Sequence, residues 1–339
     1  MKLFIHPQRS NRIVNVQAKR FIMLPNTFSE TVALTKQFAL TEFDQAIKTQ
    51  QLYYHNRWHI EAVQRRANQL FAIIAPYWQE SNKDNQEPND LTRTQSLLDL
   101  CVVTHDMVQV FLPQRHPHIT RRRASGESEQ ATCDKLLNYI HQLNQDLKLA
   151  KNFQAQFSEK DIALLQLAIL GTICAYSPVE EAIYQPALYN AERSPHIITR
   201  ILALADISSL GMDGITTYNQ EGSLLFLEEN PDIIPFIQGQ KIERLSTEQP
   251  KLAENFRQRL LKRARWQISF ARSRLTRTFH ELIGFPNEVI ATLAAEAFPY
   301  LNAGTLRIVE KTTPTNSSTS LQELLSFFQL DQYLIKEQL

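Results

Sequence analysis

Apolar residues recur at helical spacing along most of the chain, with polar and charged residues on the intervening faces. Glycine is scarce, at 8 of 339 residues, and proline and polar clusters separate the periodic segments. This pattern predicts an all-α fold, because a parallel-sheet enzyme would need more glycine in its turns. Helices are predicted over 28–48, 56–80, 92–107, 126–147, 159–176, 194–211, 221–229, 247–283, 286–299 and 320–336.

Three polar stretches predict long loops, at 81–90, 114–126 and 312–320. After the third, Ser320 and Glu323 have the spacing of a capping box that opens a short tail helix. We therefore expect four parts, which are an N-terminal segment (1–27), a helical domain (28–215), a helical extension (216–311), and a linker with the tail helix (312–339).

Composition narrows the class of protein. The 36 basic and 35 acidic residues nearly cancel, so no global field favours nucleic acid or an anionic membrane. Cys101, Cys133 and Cys174 lack metal-ligand or redox spacing, which favours buried thiols in a reducing compartment. The N-terminus has no continuous apolar stretch typical of a secretory signal or membrane anchor. These features predict a cytoplasmic protein without a membrane partner.

Two histidines lie four residues apart in YYHNRWHIEAV, residues 53–63. At 100° per residue, His55 and His59 border the same flank of the apolar stripe that contains Val63 and Leu70. They are either functional groups or a pair of partly exposed histidines at a helix start, and this motif alone does not decide between the two.

His105 and Asp106 end a helix that is apolar almost all round and should therefore be central. Asp206 lies on an apolar face, where a carboxylate needs a partner. Ordinary hydrogen bonding to neighbouring helices would satisfy each of these residues separately. Taken with His59, however, they give two imidazoles and two carboxylates on three helices, a set that suits a divalent metal with positions open to water.

The order of these motifs, H then HD then D, resembles the HD superfamily of metal-dependent phosphohydrolases. The YHNxxH form at 54–59 is similar to the one in cyclic-nucleotide phosphodiesterases and small bacterial HD phosphohydrolases. The resemblance covers roughly residues 30–212 and implies an all-helical HD domain with the metal at its centre. It implies further that His55 donates a proton and that the metal ligands are His59, His105, Asp106 and Asp206.

Other residues are candidates for the same site. The helix LQLAILGTICAYSP lacks the histidines of many two-metal family members, so we expect one tightly held metal. Thr172 and Tyr176 lie four apart on it and either face the substrate or line the core. In GESEQATCDKLL, which resembles a glutamate-containing helix of the small bacterial proteins, Glu129 is either a catalytic base or hydrogen-bond acceptor, or a solvated acid.

Phosphate charge needs basic partners. Arg57, or the run Arg121, Arg122 and Arg123, could supply them, although a solvated loop explains the run slightly better.

The resemblance thus implies hydrolysis of a small phosphorylated substrate, a phosphomonoester or phosphodiester with nucleotides among the candidates. Water activated by Mn, Mg, Fe or Zn would attack phosphorus, with Asp106 among the catalytic residues and His55 as the acid.

A second hypothesis is a non-catalytic HD-fold regulatory module that binds a protein or nucleic acid through its C-terminal half. Residues 255–280 carry eight basic residues and no acid, interleaved with Trp266 and Phe270. A solvated helix packed against the core is the preferred interpretation of this segment, because acidic stretches elsewhere balance its charge.

Overall fold

A computed structural model describes residues 24–81, 91–189, 196–239 and 241–334. Most of the predicted loop 81–90 and of the N-terminal segment 1–27 lies outside the described residues, while Ser81 is the last residue of α2. Within them the protein is all-α, as predicted, apart from one small antiparallel hairpin. No described helix is both long enough and apolar enough to cross a bilayer.

The first half of the chain contains α1 to α6 and the hairpin. Their bounds are α1 Phe28–Gln50, α2 Arg57–Ser81, α3 Leu91–Thr104, α4 Glu127–Leu149, α5 Glu159–Leu170, β1 Ala175–Ser177, β2 Ala182–Tyr184 and α6 Ile197–Asp206. The second half contains helices and connecting loops, and no strand in its described part. It contains α7 Ser209–Glu229, α8 Ile234–Gln238, α9 Ile242–Glu248, α10 Pro250–Leu282, α11 Asn287–Thr292, α12 Ala303–Thr312, α13 Leu321–Phe328 and α14 Asp331–Leu334.

Several predicted bounds are wrong for identifiable reasons. The helix expected over 159–176 ends at Leu170, because the chain turns at Gly171 and then enters the hairpin. A Cβ at Gly171 would lie 2.4 Å from Thr199 Cγ2, so α5 and α6 approach closely at this point. The helix expected at 221–229 starts earlier, at Ser209. A kink at Gly214 (φ 83°) interrupts the helix, so the sequence pattern did not indicate that residues 209–229 form one element. Helix α12 was not predicted.

The capping box at Ser320 and Glu323 is confirmed, and the loops at 114–126 and 312–320 are present. The tail helix is shorter than predicted, because Gln329 adopts a left-handed conformation and separates α13 from α14.

The hydrophobic core is centred on α2, α3 and α6. The C-terminal part of α3, from Leu100 to Thr104, is buried on all sides, and Leu98, Leu100 and Cys101 are fully inaccessible, in agreement with the apolar pattern there. The same core extends to Ile268 of α10 and Val309 of α12. The boundary predicted at residue 215 therefore falls within α7, beside the Gly214 kink, and helices on both sides of it share one core.

A second apolar cluster joins the C-terminal helices to the segment before α2. Tyr53 and Tyr54 belong to it together with Phe226, Phe256 and Phe328. Burial of these aromatic side chains fixes the backbone just before His55.

Most basic side chains of the 255–280 segment bind partners within the chain. Arg265 donates to the carbonyl of Thr315. The ion pairs are Arg257–Glu254, Arg259–Asp232, Arg263–Glu229, Arg272–Glu310, Arg274–Glu281 and Arg277–Glu180. These contacts tie α10 to α7, the hairpin and α12, and they leave less of its charge available to an external partner.

Candidate metal centre

Four potential ligands lie at helix ends that the core brings together. Asn56 caps the N-terminus of α2, where its side chain accepts the backbone N–H of His59. His105 and Asp106 directly follow the last residue of α3, and Asp206 is the last residue of α6. The negative ends of two helix dipoles therefore meet two carboxylates, an arrangement that favours a bound cation.

The ligand atoms of these four residues all lie within 4.8 Å of one another. The Nε2 atom of His59 is 3.2 Å from Asp106 Oδ2 and 3.5 Å from Asp206 Oδ1. The corresponding distances from His105 Nε2 are 3.1 and 3.6 Å. We call these four residues the ligand cluster. The cluster consists of the same four side chains that were predicted from the sequence as metal ligands.

The donor set fits a metal ion. Both histidines are buried, and neither Nε2 atom has a hydrogen-bond partner. His105 Nδ1 lies 2.8 Å from the carbonyl of Val102, to which it donates, so that its Nε2 lone pair faces the aspartates. The cluster thus turns two imidazole nitrogens and two carboxylate oxygens toward one another, and a cation between them would balance these electron-rich atoms. The cluster could therefore hold a divalent ion.

Two buried glutamines orient the aspartates. Gln109 Nε2 donates to Asp106 Oδ1 at 3.1 Å, and Gln185 Nε2 donates to Asp206 Oδ2 at 2.9 Å. Each carboxylate thus has one oxygen held by an amide and the other directed at the imidazoles. Such outer contacts commonly fix the geometry of metal ligands. Sequence reasoning missed both glutamines, since a neutral amide in a loop gives no chemical signal.

The electrostatics of the cluster also favour positive charge. Burial opposes protonation of His105, but the neighbouring Asp106 and Asp206 raise its pKa well above the ordinary value. Burial alone would raise the pKa of Asp206, yet His105 and His59 bring it below its usual range. The centre therefore stabilises cationic species.

His55 lies beside the cluster and is fixed by Glu228. Its Nδ1 is 2.5 Å from Glu228 Oε1, while Glu228 Oε2 accepts the backbone N–H groups of Tyr53, Tyr54 and His55 at 3.0–3.1 Å. Burial would raise the pKa of Glu228, but His55 and Arg123 lower it to about 2. Glu228 was not predicted, because it is 173 residues from His55 in sequence and ends an ordinary amphipathic helix.

The three arginines of residues 121–123 have different environments. Arg121 donates to the carbonyls of Glu228, Gln50 and Gln51. Arg123 Nη1 lies 2.9 Å from His55 Nε2 and donates to Gln109 Oε1 at 2.6 Å. Arg122 is exposed. Because side chains alternate along this extended segment, Arg121 and Arg123 share the face toward the site and Arg122 points away.

The side chain of Arg57 is engaged elsewhere. Its Nε and Nη2 donate to the two oxygens of Asp44 on α1, at 2.8 and 2.7 Å. The structure therefore gives Arg57 an ion pair on the outer surface and no contact with the ligand cluster.

Thr172 and Tyr176 do not share a helical face, since α5 has ended before either residue. The Thr172 hydroxyl donates to the carbonyl of Ile169, and its own carbonyl accepts from Gln185. Tyr176 is 58% exposed in the hairpin, paired with Ile183. The helical geometry on which their substrate-binding role depended is wrong, and Thr172 contributes through its backbone instead.

Glu129 lies in the first turn of α4 and is half-buried. Burial raises the pKa of its carboxyl, as do the charges of Asp106 and Asp206, while Arg123 opposes them. Glu129 is thus close enough to interact electrostatically with the ligand cluster. Of the histidines that lie between Asp106 and Asp206 in the sequence, His118 pairs with Asp232, and His116 and His141 are exposed.

A surface cleft of about 800 Å³ shares Gln109 with the site. Its lining also includes Lys48, Phe111 and Arg121.

Comparison of the chain with protein-family models, with curated proteins and with solved structures finds no match. The resemblance to HD phosphohydrolases accordingly rests on the motifs themselves.

Proposed function

We propose that this protein is a metal-dependent phosphohydrolase of the HD type, acting on a phosphomonoester or phosphodiester with nucleotides among its candidate substrates. One observation carries the proposal. Two buried imidazole nitrogens without hydrogen bonds face two aspartate oxygens, and a third histidine with an adjacent arginine borders them.

The ligand cluster would hold the ion. Two imidazoles and two carboxylates suit Mn²⁺, Fe²⁺ or Zn²⁺, and Mg²⁺ less closely because it prefers oxygen ligands. When bound, the metal supplies a Lewis acid that activates water and withdraws charge from a phosphoryl group. Gln109 and Gln185 keep the two aspartates oriented for that role.

His55 has the contacts expected of a proton carrier. Glu228 accepts the Nδ1 proton, so Nε2 is directed toward the cluster, 3.6 Å from Asp106 Oδ2. A proton on Nε2 can be given to the departing oxygen of the substrate, and the Glu228 carboxylate stabilises the charged imidazolium. Glu228 and His55 resemble the carboxylate–histidine pairs of other enzymes, in which the carboxylate orients the imidazole ring.

Asp106 and Glu129 complete the proposed catalytic set. Asp106 is both a ligand and the carboxylate nearest His55 Nε2, so it couples the ion to the proton carrier. Glu129, whose pKa is raised, is suited to accept a proton or hydrogen bond from water near the cluster.

The alternative, a non-catalytic HD-fold regulatory module that binds a protein or nucleic acid through its basic C-terminal half, has less support. The basic residues of α10 pair mainly with carboxylates of the same chain. They link α10 to the segments that position the site.

The proposal is tested by metal content and phosphate release. Purified wild-type protein, His105→Ala and the control His141→Ala, which changes an exposed histidine, are incubated separately with Mn²⁺, Mg²⁺, Fe²⁺ and Zn²⁺. Bound metal is measured after desalting, and hydrolysis is followed on nucleoside phosphates, cyclic nucleotides and nitrophenyl phosphate esters.

We expect about one tightly bound ion and hydrolysis for the wild type and the control. His105→Ala should lose both. Absence of bound metal and of hydrolysis from the wild type with all four ions would refute the proposed function.

A further inference from the structure

Arg123 occupies the border between the ligand cluster and solvent. Its Nη1 makes both of its side-chain hydrogen-bonding contacts, to His55 Nε2 and Gln109 Oε1, and the residue as a whole is exposed. Within the described part of the chain, its Nε and Nη2 donors have no hydrogen bond. Arg123 is thus held at one end and retains donors for a ligand.

Two of the other arginines considered for phosphate binding, Arg57 and Arg121, are already engaged with protein groups. Arg57 forms a two-point ion pair with Asp44, and Arg121 donates to three backbone carbonyls. Arg122 projects from the opposite face of the same extended segment. Among the four arginines considered for phosphate binding, Arg123 combines proximity to the cluster with remaining donors.

Charge balance indicates what those donors should bind. Two aspartates neutralise the charge of a divalent ion, so an additional cation is needed to attract an anionic ligand to the centre. The planar guanidinium matches the spacing of two phosphoryl oxygens better than an ammonium group does.

We propose that Arg123 binds a non-bridging oxygen of the substrate's phosphoryl group and so selects phosphorylated ligands at the ligand cluster. This inference rests on the proposed function, which it deepens by identifying the residue that recognises the anion.

The contact between Arg123 and His55 gives the proposal a second consequence. Arginine only donates, so His55 Nε2 accepts a hydrogen bond in this arrangement. A phosphoryl oxygen is a charged and therefore stronger acceptor, and it competes for Nη1. Once the anion has displaced Nη1 from His55, the Nε2 lone pair can take a proton from solvent and give it to the leaving oxygen, while Gln109 keeps the guanidinium in place.

The test uses inorganic phosphate as a probe of metal-loaded full-length protein, with Arg123→Ala, Arg123→Lys and the matched control Arg122→Ala. Phosphate affinity is measured by calorimetry, and bound metal is measured on the same samples. We expect Arg122→Ala to match the wild type. Arg123→Ala should bind phosphate roughly 10- to 100-fold more weakly, as expected for a lost charged hydrogen bond, with unchanged metal content.

Two further measurements separate recognition from a structural role. Arg123→Lys should restore part of the affinity, and added guanidinium should improve phosphate binding by Arg123→Ala but not by the wild type. In steady-state hydrolysis, Arg123→Ala should raise KM, and phosphate should become a weaker competitive inhibitor.

The outcomes distinguish this inference from the proposed function. If the wild type hydrolyses esters and Arg123→Ala keeps wild-type KM and phosphate affinity, the assignment of Arg123 is overturned while the hydrolase remains. Loss of metal from Arg123→Ala also overturns it, because the residue would then support the cluster. A metal-loaded wild type that neither binds phosphate nor hydrolyses any ester overturns both.

Discussion

The ligand cluster and the contacts around His55 are adjacent but built in different ways. The cluster occupies the ends of α2, α3 and α6, which pack through apolar faces within one core. His55 is instead held by a polar network, defined here as His55, Gln109, Arg123 and Glu228, whose members come from separate parts of the chain. Core packing positions the backbone of the first region, whose aspartates are then oriented by Gln109 and Gln185, and hydrogen bonds position the second region.

This difference has a functional consequence. The backbone positions of the ligands depend little on the polar network, so metal binding and proton transfer should be separable by mutation. The network also depends on the C-terminal half, since Glu228 belongs to α7. Helix α10 holds the end of α7 through Arg263–Glu229 and the turn that follows through Arg259–Asp232.

The largest expected effect distinguishes the two histidines of the YHNxxH motif, His55 and His59. His59→Ala should lose metal and activity together, because one of two imidazole ligands is removed from a carboxylate-rich site. His55→Ala should keep the metal and slow turnover by roughly 10²- to 10⁴-fold, the usual contribution of a positioned general acid. Metal analysis and steady-state kinetics on both variants test this separation.

The leaving group sharpens the same comparison. For His55→Ala the loss should shrink on nitrophenyl esters, whose leaving oxygen needs little protonation. Equal losses on alkyl and nitrophenyl esters would show that His55 binds or orients the substrate. Metal loss from His55→Ala with retention in His59→Ala would reverse the assignments.

Glu228 provides the next test, through stability. Glu228→Gln keeps the shape of the side chain but removes the charge that accepts three backbone N–H groups and the His55 proton. A pKa of about 2 in the folded protein, against an ordinary 4.5, corresponds to about 3 kcal/mol of unfolding free energy at neutral pH. Denaturant unfolding at pH 7 should show that loss, together with slower turnover and retained metal.

The contribution of Glu228 to the free energy of unfolding should depend on pH in a defined direction. Because folding lowers the pKa of Glu228, its contribution is complete above pH 4.5 and disappears as the pH falls toward 2. The stability difference between wild type and Glu228→Gln should therefore narrow over that interval. Glu254→Gln is a matched control, since the pKa of Glu254 is also lowered to about 2 but its carboxylate is exposed to solvent. A loss as large in Glu254→Gln as in Glu228→Gln would contradict the role of burial.

The ligand cluster could be anticipated from sequence because its residues carry chemistry that conflicts with their surroundings. Asp206 lies on an apolar face, and His105 and Asp106 directly follow the fully buried apolar run Leu100 to Thr104. Such conflicts are visible in a one-dimensional pattern. Glu228, Gln109 and Gln185 lie in segments where acids and amides are unremarkable, and their roles arise only from long-range contacts.

Prediction of the fold from sequence was limited in the same way, by long-range contacts. Helical periodicity predicted the all-α class and most elements, because amphipathic spacing is a local signal. It failed beyond α5, where the chain forms a hairpin held by α10: Arg277 pairs with Glu180, and its guanidinium lies 4.1 Å from the centre of the Tyr184 ring. Tertiary contacts decided the structure there.

The smallest expected effect concerns the link between α10 and the His55 network. Arg263 is nearly buried and pairs with Glu229, the neighbour of Glu228, whereas Arg272 forms a more exposed pair with Glu310. Arg263→Met should lower the unfolding free energy by about 1 kcal/mol and slow turnover by less than roughly 10-fold, with metal content unchanged. Arg272→Met should change none of these measurably.

If Arg263 acts by holding Glu228 in place, its effect on turnover should vanish when Glu228→Gln is already present, because the two changes interrupt the same contact chain. Kinetics of the wild type, both single variants and the double variant measure that coupling. If the losses in turnover multiply independently, α10 influences the site by a route other than Glu228. If Arg263→Met and Arg272→Met have equal effects, the Arg263–Glu229 pair has no special role in positioning the site.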